Sequence, residues 1–290
     1  MSERLEKLHT AEEEPDSERL RKIYSAIMGI LADQEKRYEE GDKNARKKAK
    51  LDLEALERVF LGKLYPTHQE EVALFFRLPR MIWDDRVMTK KKKTGEEIRF
   101  EDVSLAEQNY LFTHFILENQ GDRNYLDQFW SDMAGIAKRL GAGTDFEGMK
   151  RGILAQVAAF RLLEAAGFKP KLSTPSEDIR PGVDFWAEQE SSEFAVQVKG
   201  HKNQESPYLI SGVGKINFFG GLQDIPSSSG EEKNIQEDKD TFRNFARRVD
   251  NFSRRHKKDI EPLLIALPEK EIDQITGTPS AELWRRVTGK

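Results

Sequence analysis

Apolar residues recur at helical spacing through the first half of the chain and switch to strict alternation near residue 183. Ile23, Ile27, Ile30 and Leu31 form one stripe that runs to about Glu40, with Ser17 as its N-cap. Beyond a break at Gly41-Asp42, the residues Leu51, Leu53, Leu56, Val59, Phe60 and Leu64 mark a second helix from about Asn44 to Leu64. Two long helices joined by a short break predict a helical hairpin. A self-packed bundle is its simplest fate. A homodimer through these helices is the alternative, although the stripe spans few heptads. Thr67–Phe76 reads as a third helix that Pro79 ends. Ser104–Glu118 and Asn124–Leu140 read as two more, parted by Gly121-Asp122. Residues 1–14 are charged, carry few apolar positions and predict a disordered tail.

Gly141–Thr144 is the best domain boundary, which divides the chain into a helical region, 15–140, and a second domain, 145–290. There Ile153, Val157, Phe160 and Leu163 repeat at helical spacing, and Gly167 is a good C-terminal stop. Phe168–Ser173 reads as a strand. In Val183–Glu188, the residues Val183, Phe185 and Ala187 alternate with Asp184, Trp186 and Glu188; in Phe194–Lys199, the residues Phe194, Val196 and Val198 alternate with Ala195, Gln197 and Lys199. Joined across a four-residue loop, Gln189–Ser192, they predict an antiparallel hairpin with Asp184 opposite Gln197 and Lys199 on the same face. Trp186 shares the Asp184 face and is expected to pack under a helix. Pro226–Asp240 predicts a mobile surface loop. Thr241–Lys258 is then a basic helix and Pro262–Pro268 an apolar strand.

An acid, an amide and a lysine on one patch suit metal-assisted attack on phosphate. The pairing of Arg180-Pro181-Gly182-Val183-Asp184 with Gln197-Val198-Lys199 resembles the signature of the PD-(D/E)xK nuclease superfamily, the restriction-endonuclease-like and Holliday-junction-resolvase-like enzymes. The order helix, three strands, helix, strand from Glu147 to Pro268 is similar to the core of that superfamily. The resemblance covers roughly the C-terminal half. It implies an α+β fold: an N-terminal all-helical region, then an αβββαβ core with a mixed sheet. It also implies a Mg²⁺-dependent (or Mn²⁺-dependent) DNA endonuclease. Asp184, Gln197 and the Val198 carbonyl would be the metal ligands. Lys199 would act at the attacking water or the developing charge, and Gln156 would reach the site from the preceding helix. Two positions commonly acidic in the family, Gln156 and Gln197, are amides here, which removes negative charge beside a cation. The alternative is therefore a catalytically weakened nuclease fold that binds nucleic acid or a protein partner.

Charge refines the picture. The net charge of −4 excludes a purely electrostatic, histone-like binder. The basic residues are clustered, though, at Lys90–Lys93 with Arg86 and Arg99, and at Arg243, Arg247, Arg248, Arg254, Arg255, Lys257 and Lys258. His201 and Lys202, just past Lys199, add residues suited to phosphate contact. The absence of cysteine excludes disulfides and thiolate metal sites. The glycine-rich segment Ser211–Leu222 has no phosphate-loop pattern, which argues against nucleotide triphosphate binding there. No apolar run reaches a membrane span and no signal peptide is apparent, so a cytoplasmic protein is expected.

Overall fold

The computed structural model describes residues 15–92, 101–174, 182–202, 206–211 and 232–288. The expected tail at 1–14, the Arg180-Pro181 pair, most of the basic run with Arg86 and Arg99, and most of the glycine-rich segment lie outside these residues or outside the described side chains. The chain forms two compact units, Met1–Glu101 with Asp122–Glu147, and Asp102–Gly121 with Gly148–Lys290. The fold class is α+β, helices first and then a mixed five-stranded sheet. No helix among the described residues is long and apolar enough to cross a membrane.

The first unit is helical. Helix α1 (Asp16–Glu39) buries Ile23, Ile27 and Leu31 of the predicted stripe together with Leu20, whereas Ile30 is half-buried; Ser17 lies inside the helix, whose cap position is Pro15. It packs against α2 (Ala45–Val59), which ends in a π-helical turn, Phe60–Leu64. The expected hairpin is therefore present and packs within its own unit, against α3 (Gln69–Lys92) and α5 (Arg123–Arg139). Pro79 does not end α3 but lies inside it. A mid-helix proline costs about 3 kcal/mol. Leu74, Phe75, Phe76, Leu78, Ile82 and Trp83, on both sides of it, are all buried. Their burial outweighs that cost, at ~1.5–3 kcal/mol for each large apolar side chain. Asp122 caps α5 by accepting from the Tyr125 N–H at 2.9 Å.

The second unit is built on a sheet of order β1-β2-β3-β5-β4. Its strands are β1 (Lys169–Leu172), β2 (Phe185–Gln189), β3 (Ser192–His201), β4 (Tyr208–Ser211) and β5 (Ile260–Pro268). β3 and β5 pair in parallel and the other neighbours are antiparallel. β4 was not expected. It is only four residues long, too short to carry an alternation that stands out from a loop. The β2–β3 loop is also tighter than expected. Gln189 pairs with Ser192, leaving Glu190 and Ser191 as the turn, with Glu190 at a φ of 54°.

Helix α6 (Gly143–Ala165) precedes the sheet. Gly167, at a φ of 87°, closes it, and the Phe168 N–H donates to the Leu163 carbonyl at 3.0 Å. α6 covers one sheet face, where Phe160 meets Phe185 at 5.8 Å between ring centroids. The other face packs on α7 (Glu232–His256) through Val183, Trp186, Ala195, Tyr208, Leu264 and Ala266 against Ile235, Phe242, Phe245 and Val249. α7 begins well before Thr241, so Glu232–Asp240 is helical instead of part of the expected loop. The acid-rich composition concealed that Ile235, Asp238, Phe242 and Phe245 share one buried stripe. The C-terminal helix α8 (Ala281–Thr288) follows β5. Helix α4 (Glu101–Asn119) groups with the sheet, whereas the sequence boundary assigned it to the helical half. Its link is polar: Thr113 and Gln120 bond Gln156 and Arg161 of α6.

Candidate functional site

The geometry around Asp184 turns on its place at the entry to β2. The hairpin register runs Phe185↔Val196, Trp186↔Ala195, as expected from parity. The Asp184 N–H, however, donates to the Val196 carbonyl at 2.9 Å instead of to Gln197, a one-residue offset of the kind a β-bulge makes. The side chains follow it. Val183 and Trp186 belong to the α7-facing cluster, while Asp184 and Phe185, consecutive in sequence, both reach α6. Trp186 does pack under a helix, against Phe252 of α7 at 5.6 Å, but on the face opposite to Asp184.

β3 has no such offset, because its pairing with β5 is unbroken from Glu193 to His201. A Cβ on Gly200 would lie 3.0 Å from the Ala155 Cβ of α6, so Val196, Val198 and Gly200 face α6. Ala195 lies in the α7 cluster and His201 bonds Asp238 of α7, so Gln197 and Lys199 between them face α7. The expected single face for Asp184, Gln197 and Lys199 is therefore split: the bulge sends Asp184 to one side and regular alternation sends the other two to the opposite side. The Gln197 Oε1 is buried and has no hydrogen-bond partner among the described residues.

Gln156 and Asp184 are brought together. The Gln156 Nε2 donates to the Asp184 Oδ1 at 2.8 Å, and the Val198 N–H donates to the Asp184 Oδ2 at 2.6 Å. Thr113 of α4, itself buried, donates to the Gln156 Oε1 at 2.8 Å. The Ser173 hydroxyl holds the entry to β2 by donating to the Val183 carbonyl and to the Asp184 carbonyl, the latter at 3.0 Å. Asn109, Tyr110, Thr113, Gln156, Leu172, Ser173 and Asp184 line a small polar pocket. Asn109, Tyr110 and Thr113 entered no sequence reading, because α4 lies far upstream and carries no motif.

This set does not fit Mg²⁺. That ion takes hard oxygen donors in near-octahedral array. Gln156 turns its amide nitrogen toward Asp184, because the carboxylate can only accept, and the Thr113 hydroxyl donates to the amide oxygen at the other end. Gln197 faces the other way, and the described residues hold no group of three Asp, Glu, His or Cys side chains placed for a metal.

The predicted basic residues lie elsewhere in this unit. α7 exposes Arg243, Arg247, Arg248, Arg254 and Arg255, and Lys257 is exposed just past its end. Arg243 pairs with Asp240 and Arg254 with Asp250, whereas Arg247, Arg248 and Arg255 form no ion pair among the described residues. Arg248 lies over Gly182, at the entry to β2: a Cβ there would come within 2.8 Å of its Nη2. Gly182 also holds a φ of 74°. Gly182→Ala is thus expected to cost about 1–2 kcal/mol from left-handed backbone alone and to displace the guanidinium; thermal melts would read the first and the crystal structure of the variant the second. His201 is tied to α7, and Lys202 is exposed at the end of β3.

Comparison of the chain with protein-family models, with curated proteins and with solved structures returned no match.

Proposed function

We propose that the sheet-bearing unit is a nuclease-like fold that binds nucleic acid, DNA in the first instance, and does not hydrolyse it at Asp184. The observation that carries this reading is the outer face of α7, a stripe of exposed arginines, several without an acidic partner among the described residues. Guanidinium groups spaced along a helix match the phosphates of a nucleic-acid backbone, and release of condensed counterions drives the association. The bulge at Asp184 argues against cleavage, since it separates the carboxylate from Gln197 and Lys199. Metal-dependent hydrolysis is the second reading. The approach of Gln156, Asp184 and Val198 to one point favours it.

The test is fluorescence anisotropy of labelled duplex and single-stranded DNA over a salt series. Binding is expected to weaken steeply with salt. Arg247→Glu with Arg248→Glu should weaken it by at least about tenfold and lower the log–log salt slope by roughly 2, one for each phosphate contact removed. Circular dichroism checks that the variant folds. An unchanged affinity in the folded variant, or no binding by the parent chain, removes this reading in favour of a protein partner.

A further inference from the structure

Resting on the nucleic-acid reading, we propose a phosphate subsite at the end of β3, built on His201 with Lys199 and Lys202 and separate from the α7 arginines. Its base is Asp238 of α7, a carboxylate only 3% exposed. Asp238 accepts from the hydroxyl of Tyr208 on β4 at 2.6 Å, and its Oδ2 lies 2.7 Å from the His201 Nε2. Tyr208 is fully buried, and the imidazole stacks on its ring at 6.4 Å and 23°. One nitrogen of His201 and its ring plane are therefore fixed from beneath. The side chain keeps 19% exposure, and the Nδ1 makes no hydrogen bond to a described residue.

Lys199 lies two residues earlier on the same face of β3, about 7 Å along the strand. It forms no ion pair among the described residues, and Lys202 is exposed just beyond. With its Nε2 held against the Asp238 carboxylate, the doubly protonated ring would present Nδ1–H outward as a second donor. An imidazolium N–H and a lysine ammonium diverging from one strand end match the oxygens of a phosphodiester. A cation is disfavoured there, because the two lysines repel it and only one imidazole faces outward.

Glu237 and Lys239 flank Asp238 on α7, Tyr208 comes from β4, and Glu269, which follows the partner residue Pro268 on β5, is engaged by Arg151 at 2.9 Å.

The experiment is an NMR titration of the full chain with the dinucleotide TpT, whose diester charge is constant over the range used. The chain has five histidines, and His201→Gln identifies the relevant imidazole resonances by their loss. TpT is expected to shift these resonances. Lys199→Gln and Asp238→Asn should each weaken TpT binding about fivefold or more. The Arg247→Glu, Arg248→Glu chain should keep the response. If TpT leaves the His201 resonances unmoved, or moves them equally in Lys199→Gln, the subsite is overturned while the α7 interface stands. If TpT binds at His201 but duplex DNA does not bind at all, the subsite stands and the wider interface fails.

Discussion

Arg19→Met alone is expected to cost about 3–5 kcal/mol, the largest loss for any single polar change in the helical unit. Arg19 is 4% exposed and Glu71 2%, and the Arg19 Nε donates to the Glu71 Oε2 at 2.8 Å. Arg19 also pairs with Asp16 at 2.7 Å. Removing the guanidinium leaves a buried carboxylate with its main counter-charge gone. The double replacement Arg19→Met, Glu71→Leu should recover most of the loss, because an apolar pair of similar volume avoids the desolvation of both ions. Chemical denaturation followed by circular dichroism measures both. A double variant no more stable than the single would show that the pair acts as more than mutual compensation.

The same pair fixes a pH dependence. Burial raises the Glu71 carboxyl to about 6, more than Arg19 pulls it down. A carboxyl whose folded value lies above its unfolded value favours the folded chain when protonated. That contribution is complete below the usual carboxylate range and is lost as pH rises through about 6. Arg19→Met should push Glu71 further up. Its penalty is therefore expected to be larger at pH 8 than at pH 5. Equal penalties at both would assign the loss to packing of the arginine stem.

Asp184→Ala carries the second large effect, and it is an effect on stability. The variant leaves the Gln156 Nε2 and the Val198 N–H without their acceptor, at roughly 1–3 kcal/mol for each buried donor. A total loss of about 3 kcal/mol is expected, with Asp184→Asn milder because one carbonyl oxygen remains. Lys199→Ala should leave stability nearly unchanged. In parallel, plasmid, branched and single-stranded DNA are offered to the parent chain with Mg²⁺ and with Mn²⁺. No cleavage is expected. Metal-dependent cleavage that disappears in folded Asp184→Asn would restore the hydrolytic reading and overturn the proposal of binding without chemistry at this site.

The helical stripe of Ile23, Ile27 and Leu31 and the alternation around Phe185 and Val196 were legible because each reports its own period, 3.6 or 2, wherever one face is buried. The resemblance also placed Gln156 at Asp184, to which its Nε2 donates. Elements without their own period were not legible. β4 is too short, Pro79 contradicts the helix it sits in, and Glu232–Asp240 reads as a polar loop although a buried stripe runs through it.

The decisive case is the bulge. Parity assumes that every residue of β2 opposes one residue of β3, so it set Asp184, Gln197 and Lys199 on one face. A bulge inserts one residue and inverts the side for everything beyond it. The contacts at the strand entry are the Ser173 hydroxyl, the Val198 N–H, and Gln156, which Thr113 contacts from a helix some forty residues upstream. The sequence alone determined the α+β class, the hairpin register and the basic face of α7, because local periodicity and charge dictate them. Only the tertiary structure decided which side Asp184 faces and that His201 is anchored by Asp238 and Tyr208, because those contacts join segments with no shared local pattern.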